Sequence, residues 1–320
     1  MTSVGRRLLK WGLALIVVVI GVVVALSCYM LSYSLAPGSD SDEHVLERLH
    51  AETPWVGPWL DSIQATHALR DTFITRESDG ARMHAWWVAA DVPTTRVAVL
   101  VHGYKCQALS MLKMGYMFHH ELGYNILLPD LAAHGRSQGE VIGMGWTDRL
   151  DVLRWMQVAN ELFRADSAMT RMVVMGISMG AATVMCVSGE PQPPYVKAYI
   201  EDCGYTSVWD EFAGEARNQF GVPEFPLLYT TSALCKLRYG WSFGQASPLN
   251  QVKKCRLPML FIHGDADDYV PTRMVHPLYE AKPQPKQLWL APGAGHDRSY
   301  NLYPDQYAAH VRAFLAAHQI

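Results

Sequence analysis

A serine between two glycines is the side chain of this sequence that is best placed to act as a nucleophile. Ser178 is the centre of GISMG at residues 176–180, a GxSxG pentapeptide. The apolar run MVVM at 172–175 precedes it and small residues follow it, which gives the strand, tight turn and helix of a nucleophile elbow. A flanking glycine has no Cβ to collide with neighbouring backbone, so the hydroxyl can stand clear on a strained turn. This pattern predicts that Ser178 attacks an acyl carbon.

A nucleophilic serine needs a base to take its proton, and that base needs an acid to orient it. Two loops offer these groups, because HGDADDYVP at 263–271 follows the apolar run MLFI and GAGH at 293–296 follows the run LWL. Both loops lie at the carboxyl ends of predicted strands, where open parallel sheets bind their ligands. His296 is the candidate base. The candidate acids are Asp265, Asp267 and Asp268 of the first loop, and Asp202 after another apolar run.

Five short motifs together resemble the landmarks of the α/β-hydrolase superfamily. They are HGY at 102–104, GRS at 135–137, GISMG at 176–180, HGDADDYVP at 263–271 and GAGH at 293–296. The resemblance covers residues 97–300 and extends in particular to membrane-anchored bacterial serine hydrolases of the esterase or peptidase-like branch. It implies an α/β-hydrolase fold, in which helices flank a mostly parallel central sheet and a helical cap is inserted.

The resemblance also implies which residues catalyse. The family has its nucleophile, acid and base in that order along the chain, which gives Ser178, Asp267 and His296. Its pattern HGxxDxxVP places the acid four residues after the histidine, which favours Asp267 over Asp265. Some family members place the acid after the earlier strand, so Asp202 stays an alternative.

Two backbone N–H groups are the expected oxyanion hole. An acyl-transfer intermediate carries an oxyanion, which backbone donors stabilise without any particular side chain. The family pattern assigns these donors to Tyr104, after the His102-Gly103 pair, and to Met179, directly after the nucleophile. Both residues are therefore also expected to contact substrate.

Short apolar runs that alternate with helical patterns predict the parallel sheet that positions these groups. The predicted strands are residues 97–101, 126–128, 172–175, 196–200, 259–262 and 288–290, after a hairpin of 73–76 with 83–90 at the sheet edge. The predicted helices are residues 108–121, 147–164, 181–187, 273–281 and 304–317. The sequence therefore indicates an α/β protein.

The connection from residue 204 to 257 is too long for a simple loop and predicts a cap over the site, at about 205–250. The cap is rich in aromatic and apolar residues, of which Trp209 and Phe212 are the candidate substrate contacts. Met111, Met114 and Met117 are expected to add an adaptable wall. Such a pocket favours short to medium or aromatic acyl groups.

The N-terminal region predicts a membrane anchor. Residues 11–31 contain no charge and would extend about 31 Å as a helix, which matches the bilayer core. Basic residues precede this segment and acidic residues follow it, so we expect residues 1–10 in the cytoplasm and the rest outside. A polar linker at 32–53 would join the anchor to the hydrolase domain at 54–320. A cleaved signal peptide and lipidation near Cys28 are the alternatives.

Composition argues against several other classes of site. The net charge of −3 provides no basic field for nucleic acid. The six cysteines form no CxxC pair, which argues against a disulfide framework and a zinc site, although a bond between Cys235 and Cys255 stays open. No cofactor or metal is expected, and the sequence gives no oligomeric state.

The leading interpretation is a membrane-tethered, extracytoplasmic serine hydrolase that cleaves a small-molecule carboxylic ester. A serine peptidase of small peptides would use the same triad, and a free amino terminus would need acidic partners, for which Glu201, Glu211 and Glu215 are candidates. A non-catalytic surface protein on this scaffold would predict a damaged triad, whereas all three residues are present.

Overall fold

An eight-stranded, mostly parallel sheet forms the centre of the protein, in the order β1-β2-β4-β3-β5-β6-β7-β8. We describe it from a computed structural model, which covers residues 3–38, 40–165 and 168–320. The strands are Arg70–Thr75 (β1), Arg82–Val88 (β2), Arg96–Val101 (β3), Asn125–Pro129 (β4), Arg171–Ile177 (β5), Val196–Asp202 (β6), Met259–Gly264 (β7) and Lys286–Ala291 (β8). β1 and β2 form the predicted antiparallel hairpin at the sheet edge, and β3 to β8 pair in parallel. The α/β prediction is confirmed.

Helices cover both faces of this sheet. They are Gly57–Ala65 (α3), Leu112–Gly115 (α4), Asp148–Phe163 (α5), Met179–Ser188 (α6), Val275–Ala281 (α10), Ser299–Leu302 (α11) and Pro304–Ala317 (α12). Alternate residues of β3 show the two-sided burial, because Val97 and Val99 pack into one hydrophobic cluster and Ala98 and Leu100 into the other. Burial on both faces explains why the central strands read as continuous apolar runs.

The predicted helix at 108–121 is broken into three parts. A 3-10 turn at Ala108–Met111 leads into the short α4, and a π-helical turn follows at Tyr116–Glu121. Every residue of α4 is buried, so packing from several sides overrides the simple helical pattern that the sequence shows.

The long connection between β6 and β7 forms the expected helical cap. Its helices are Val208–Phe220 (α7), Leu227–Tyr239 (α8) and Pro248–Val252 (α9). Ser207 caps α7, since its hydroxyl accepts a hydrogen bond from the N–H of Asp210. Phe243 is fully buried, so part of the apolar character of the cap serves the core.

A single long helix, Ser3–Ser34 (α1), contains the apolar N-terminal segment. Its Val4–Ser34 portion has a mean hydropathy of 2.8 and is 6% buried over the most apolar stretch. By length and composition it is able to cross a membrane, as a membrane anchor or as a signal sequence.

The expected polar linker at 32–53 is instead largely folded onto the domain. A helix, Asp42–Glu52 (α2), begins at the capping residue Ser41 and buries Val45 and Leu49. The spacing of these two residues places them on one face of an otherwise charged helix, which explains how so polar a segment packs. The end of α1 is also held, because Leu35 is fully buried and its carbonyl accepts a hydrogen bond from the N–H of Ile142 at 3.0 Å.

The cap and α1 meet directly. The hydroxyl of Ser27 donates to the carbonyl of Leu227 at the start of α8, at 3.4 Å, and Leu31 is buried. The domain therefore contacts the last turns of α1 without an intervening spacer.

Candidate active site

Ser178 occupies the turn between β5 and α6, in the strained conformation that the sequence predicts. Its φ of 56° and ψ of −120° are unusual for a residue with a side chain. The turn needs both glycines of the pentapeptide. A Cβ on Gly176 would lie 2.2 Å from the carbonyl oxygen of Gly180, and one on Gly180 would lie 2.1 Å from that of Val101.

Ser178, His296 and Asp267 form a continuous chain of contacts. His296 Nε2 lies 2.9 Å from Ser178 Oγ, and His296 Nδ1 lies 2.8 Å from Asp267 Oδ2. The other oxygen of Asp267 accepts hydrogen bonds from the N–H groups of Tyr269 and Val270 at 3.1 and 3.0 Å. These contacts fix the carboxylate against the imidazole that faces the serine.

The surroundings of Asp267 keep it ionised. Burial by itself would raise the pKa of this carboxyl, but hydrogen bonds with His263 and His296 outweigh burial and lower it. An ionised Asp267 suits a group that stabilises a protonated His296.

The rival carboxylates have other partners. Asp202 accepts a hydrogen bond from Tyr307 at 2.9 Å, and burial raises its pKa to about 7. Asp265 accepts one from the N–H of Gly293, and Asp268 is exposed. Among the described residues, Asp267 is therefore the carboxylate that contacts His296.

The two expected oxyanion donors flank Ser178. Met179 is the first residue of α6, so its N–H has no acceptor within the helix. On the other side, a Cβ on Gly103 would lie 3.5 Å from Ser178 Cβ, which brings the loop of Tyr104 against the serine. The side chain of Tyr104 reaches the end of α1, where its hydroxyl donates to the carbonyl of Ser34 at 2.9 Å.

Two cavities meet at Ser178. The larger, of about 410 Å³, includes His296, and α2 supplies part of its wall through Val45 and Arg48. The smaller, of about 120 Å³, lies beneath the cap and is lined by Tyr33, Met144, Met179, Tyr205, Glu211, Phe212 and Glu215. Tyr104, Lys105 and Tyr269 border both cavities. A substrate with its carbonyl at Ser178 therefore has one cavity for each side of the scissile bond.

The two cap residues predicted to contact substrate differ in position. Phe212 lines the smaller cavity, whereas Trp209 lines neither and packs against Tyr229, with ring centroids 4.8 Å apart. At about 100° per residue, Trp209 lies roughly 160° around α7 from Glu211 and about 60° from Phe212. The substrate contact of Trp209 therefore stays a prediction, because the sequence does not show which face of α7 meets the site.

The expected methionine wall is also reduced. Met111 lines the larger cavity, but Met114 and Met117 are fully buried in the hydrophobic cluster that includes Trp59. The break in the helix at 108–121 turns these two side chains into the core rather than toward the site.

Residues from the end of α1 to the hydrolase domain also line the two cavities, which the sequence did not indicate. Tyr33 and Ser34 line the smaller cavity, and Asp40, Val45 and Arg48 line the larger one. The apolar stripe of α2 was the available signal that this segment packs. Of the three glutamates considered as amine partners, Glu211 and Glu215 line the smaller cavity. Glu201 is fully buried elsewhere and accepts a hydrogen bond from the N–H of Gly204.

One group of potential metal ligands overlaps this site. The ligand atoms of Cys203, Asp267 and His296 lie within 4.8 Å of one another. Both nitrogens of His296 already contact Ser178 and Asp267, and burial holds the pKa of the Cys203 thiol well above its usual range. The contacts are those of a proton relay, and a neutral thiol is a poor metal ligand.

The remaining histidines near the site contact backbone. His102 accepts a hydrogen bond from the N–H of Leu131, and its other nitrogen lies 2.8 Å from the carbonyl of Gly103. His134 accepts one from the N–H of Lys105. The six cysteines are free thiols, so Cys235 and Cys255 do not form the bond left open by the sequence.

Comparisons with known proteins agree with this fold. A sequence model described as the alpha/beta hydrolase family matches residues 98–310. The uncharacterized protein YqkD of Bacillus subtilis (strain 168) is 30% identical over 247 residues, which cover 77% of this chain and 79% of that protein. Among solved structures, the Pyrococcus furiosus esterase Pf2001 is similar with a TM-score of 0.62 at 22% identity, covering 80% of this chain and 95% of that one.

A peptidase shares the same fold. The Pyrococcus horikoshii acylaminoacyl peptidase is similar with a TM-score of 0.58 at 16% identity, covering 80% of this chain and 43% of that one. At such identities the two structures support the fold and do not separate ester from peptide substrates. The family match and the relative from Bacillus carry the assignment further: this chain belongs to the alpha/beta hydrolase family.

Proposed function

We propose that this protein is a membrane-tethered serine hydrolase that cleaves carboxylic esters through an acyl-enzyme. The observation that carries the proposal is the unbroken chain of contacts from Ser178 through His296 to Asp267. The alpha/beta hydrolase family supports hydrolysis in general, and these contacts support serine as the nucleophile.

The proposed reaction has two halves. Ser178 Oγ forms a bond to the carbonyl carbon while its proton passes to His296 Nε2, and Asp267 stabilises the resulting imidazolium. The N–H groups of Tyr104 and Met179 stabilise the oxyanion. The ester C–O bond then breaks as His296 returns the proton to the leaving alcohol. Water then attacks the acyl carbon with His296 again as base. The bond from this carbon to Ser178 Oγ breaks as His296 returns the proton to Oγ, which releases the carboxylic acid.

The smaller cavity supports short to medium or aromatic acyl groups. Its volume of about 120 Å³ leaves little room beneath the cap, and Phe212 and several tyrosines line it. A long acyl chain has no comparable space there. The larger cavity of about 410 Å³ would take the leaving group.

We further propose that α1 spans the cell membrane and leaves the hydrolase domain, residues 54–320, outside the cytoplasm. The apolar length of α1 and the basic residues before it support this orientation. Protease added to intact cells should digest the domain while residues 1–10 stay protected. Release of the full-length protein from membranes by high salt alone would contradict a spanning helix.

A fluorophosphonate probe tests the nucleophile. It should label the full chain and the control variant Ser62→Ala, which changes an exposed serine, but not Ser178→Ala. Labelling of Ser178→Ala at the wild-type rate would overturn the assignment.

A parallel screen of p-nitrophenyl esters of graded length and aminoacyl p-nitroanilides would separate an esterase from a peptidase. The peptidase remains the second candidate, because Glu211 and Glu215 line the acyl-side cavity.

A further inference from the structure

The smaller cavity contains a buried carboxyl group that has no hydrogen-bond partner among the described residues. Glu211 is 6% exposed and lines this cavity together with Ser178. Among the described residues, no group donates a hydrogen bond to the Glu211 carboxylate and no cation pairs with it. The charges that act on the pKa of this carboxyl are all acidic, from Glu215, Asp267 and Asp210. A buried polar side chain without a hydrogen-bond partner is costly, so a native structure that retains one points to a ligand.

The rest of the cavity wall suits a cation. Glu215 lies one turn after Glu211 on α7, so the two side chains share a face of the helix. The rings of Tyr33, Tyr104, Tyr205 and Tyr269 complete the wall. Aromatic faces and carboxylates together attract an ammonium group. The one basic residue among the described residues that line this cavity is Lys105, whose Nζ lies over the rings of Tyr33 and Tyr104 at 5.3 and 5.1 Å.

We propose that the smaller cavity binds a primary ammonium group on the acyl part of the substrate, between Glu211 and Glu215. The inference rests on the proposed serine hydrolase and narrows its substrates to aminoacyl esters and related amides. Ser178 and Met179 border the same cavity, so an ammonium held there lies a few bonds from the carbonyl under attack. The ammonium is unchanged in the reaction. The C–O bond of the ester, or the C–N bond of the amide, breaks after the bond to Ser178 has formed, as His296 returns the proton to the leaving alcohol or amine.

The protonation state of Glu211 should make ligand binding at this site depend on pH. Burial, and then the charges of Glu215, Asp267 and Asp210, raise the pKa of Glu211 to about 8, so the empty site holds a proton at neutral pH. An ammonium beside the carboxyl favours its ionised form and expels that proton. Binding at pH 7 should therefore release a proton, and affinity should rise from pH 6 to pH 8. The other titratable groups that face the cavity are Tyr33, Tyr104, Lys105, Tyr205 and Tyr269.

A pair of matched esters tests the site through the reaction. Leucine methyl ester and methyl 4-methylpentanoate differ only in the amino group. The wild-type protein should have a kcat/KM about 10- to 100-fold higher for the leucine ester, as expected for a charge-assisted contact. Glu211→Gln should reduce this preference to about twofold or less, whereas Glu161→Gln, on the exposed face of α5, should keep it. Equal preference in wild type and Glu211→Gln would overturn the proposal.

A binding measurement separates this proposal from the reaction itself. Calorimetry on Ser178→Ala should show leucinamide binding with a heat that depends on the buffer, because a proton is released. The uncharged 4-methylpentanamide should bind at least tenfold more weakly, and adding Glu211→Gln should remove the difference. If leucinamide binds in this way but no ester is cleaved, the ammonium site stands and the hydrolase proposal fails. If esters are cleaved at the same rate with and without the amino group, the hydrolase proposal stands and the ammonium site fails.

The stability of the variants tests a purely structural role of Glu211. Since Glu211 lacks a partner, Glu211→Gln should unfold at the wild-type temperature or above it at pH 8. A lower unfolding temperature would mean that the carboxylate has a structural partner, and it would count against the ammonium site. Glu215→Gln provides a second variant with the same expected loss of preference for the leucine ester.

Discussion

At the scale of single residues, the contacts of Asp267 distinguish it from every other carboxylate near the site. It contacts His296, while Asp202 contacts Tyr307 and Asp265 contacts the backbone of Gly293. The three carboxylates therefore differ in their hydrogen-bond partners and not in the edge of the sheet at which they lie. Sequence alone left Asp202 and Asp265 open because all three carboxylates follow strands of the same sheet.

Substituting these carboxylates one at a time gives a direct prediction. Asp267→Asn should keep the fold but lower kcat by about 10⁴-fold, because the neutral amide no longer stabilises the charged base. Asp202→Asn should change kcat by less than about tenfold, since Asp202 contacts Tyr307 rather than the relay. Ester hydrolysis by the two purified variants checks this. A severe loss in Asp202→Asn with a mild loss in Asp267→Asn would reassign the acid.

At the scale of elements, the stretch from the end of α1 to α2 lines the proposed active site. Ser34 accepts the hydrogen bond of Tyr104, Tyr33 lines the smaller cavity, and α2 lines the larger one. The loop of Tyr104, the proposed oxyanion donor, is therefore held by residues that the sequence suggested to be a spacer.

Two truncated proteins test this support. A protein beginning at residue 32 keeps Tyr33 and Ser34, whereas one beginning at residue 36 lacks both. We expect the shorter protein to have a kcat/KM at least about tenfold lower, because a small displacement of an oxyanion donor is costly. Tyr104→Phe in the full chain removes the same hydrogen bond and should lower kcat/KM in the same direction. Equal kcat/KM for the two truncated proteins, at equal unfolding temperature, would contradict this role.

The elements were largely predictable, whereas their relative placement was not. The strands β3 to β8 follow from local apolar runs, and Ser178 and His296 follow from motifs within a few residues of a strand end. The orientation of Trp209, the break at 108–121 and the docking of α2 depend on contacts between residues far apart in sequence. Such contacts leave weak local signals, of which the pair Val45 and Leu49 is an example.

At the scale of the whole molecule, buried carboxyl groups make stability depend on pH. Burial raises the pKa of Asp148 and of Asp202 to about 7, from 3.8. Between pH 4 and pH 7 the folded protein holds protons that the unfolded chain releases, so stability falls as pH rises through this range. Asp267 and Asp130 act in the opposite direction, since their pKa values are lowered and their contribution is lost below pH 4.

The unfolding temperature should therefore be highest near pH 4 and lower by about 5 °C or more at pH 8. Asp148→Asn should flatten this dependence, because its amide carries no titrating proton. Thermal unfolding followed by circular dichroism from pH 4 to pH 8 measures the effect. An unfolding temperature that increases steadily up to pH 8 would show that these carboxyls are paired in the folded protein.

The contact between α1 and the cap determines how far the catalytic site can travel. An extended chain of 18 residues, from 36 to 53, would let a tethered domain range over about 60 Å. Here the hydrogen bond from Ser27 to Leu227 and the folding of α2 hold the domain against α1, so the domain does not move over such a range. If α1 spans the bilayer as proposed, the domain rides at a fixed height with Phe225 and Tyr229 exposed near the headgroups. Encounters with substrate would then depend on lateral diffusion of the protein in the membrane plane, and not on motion of the domain about a flexible linker.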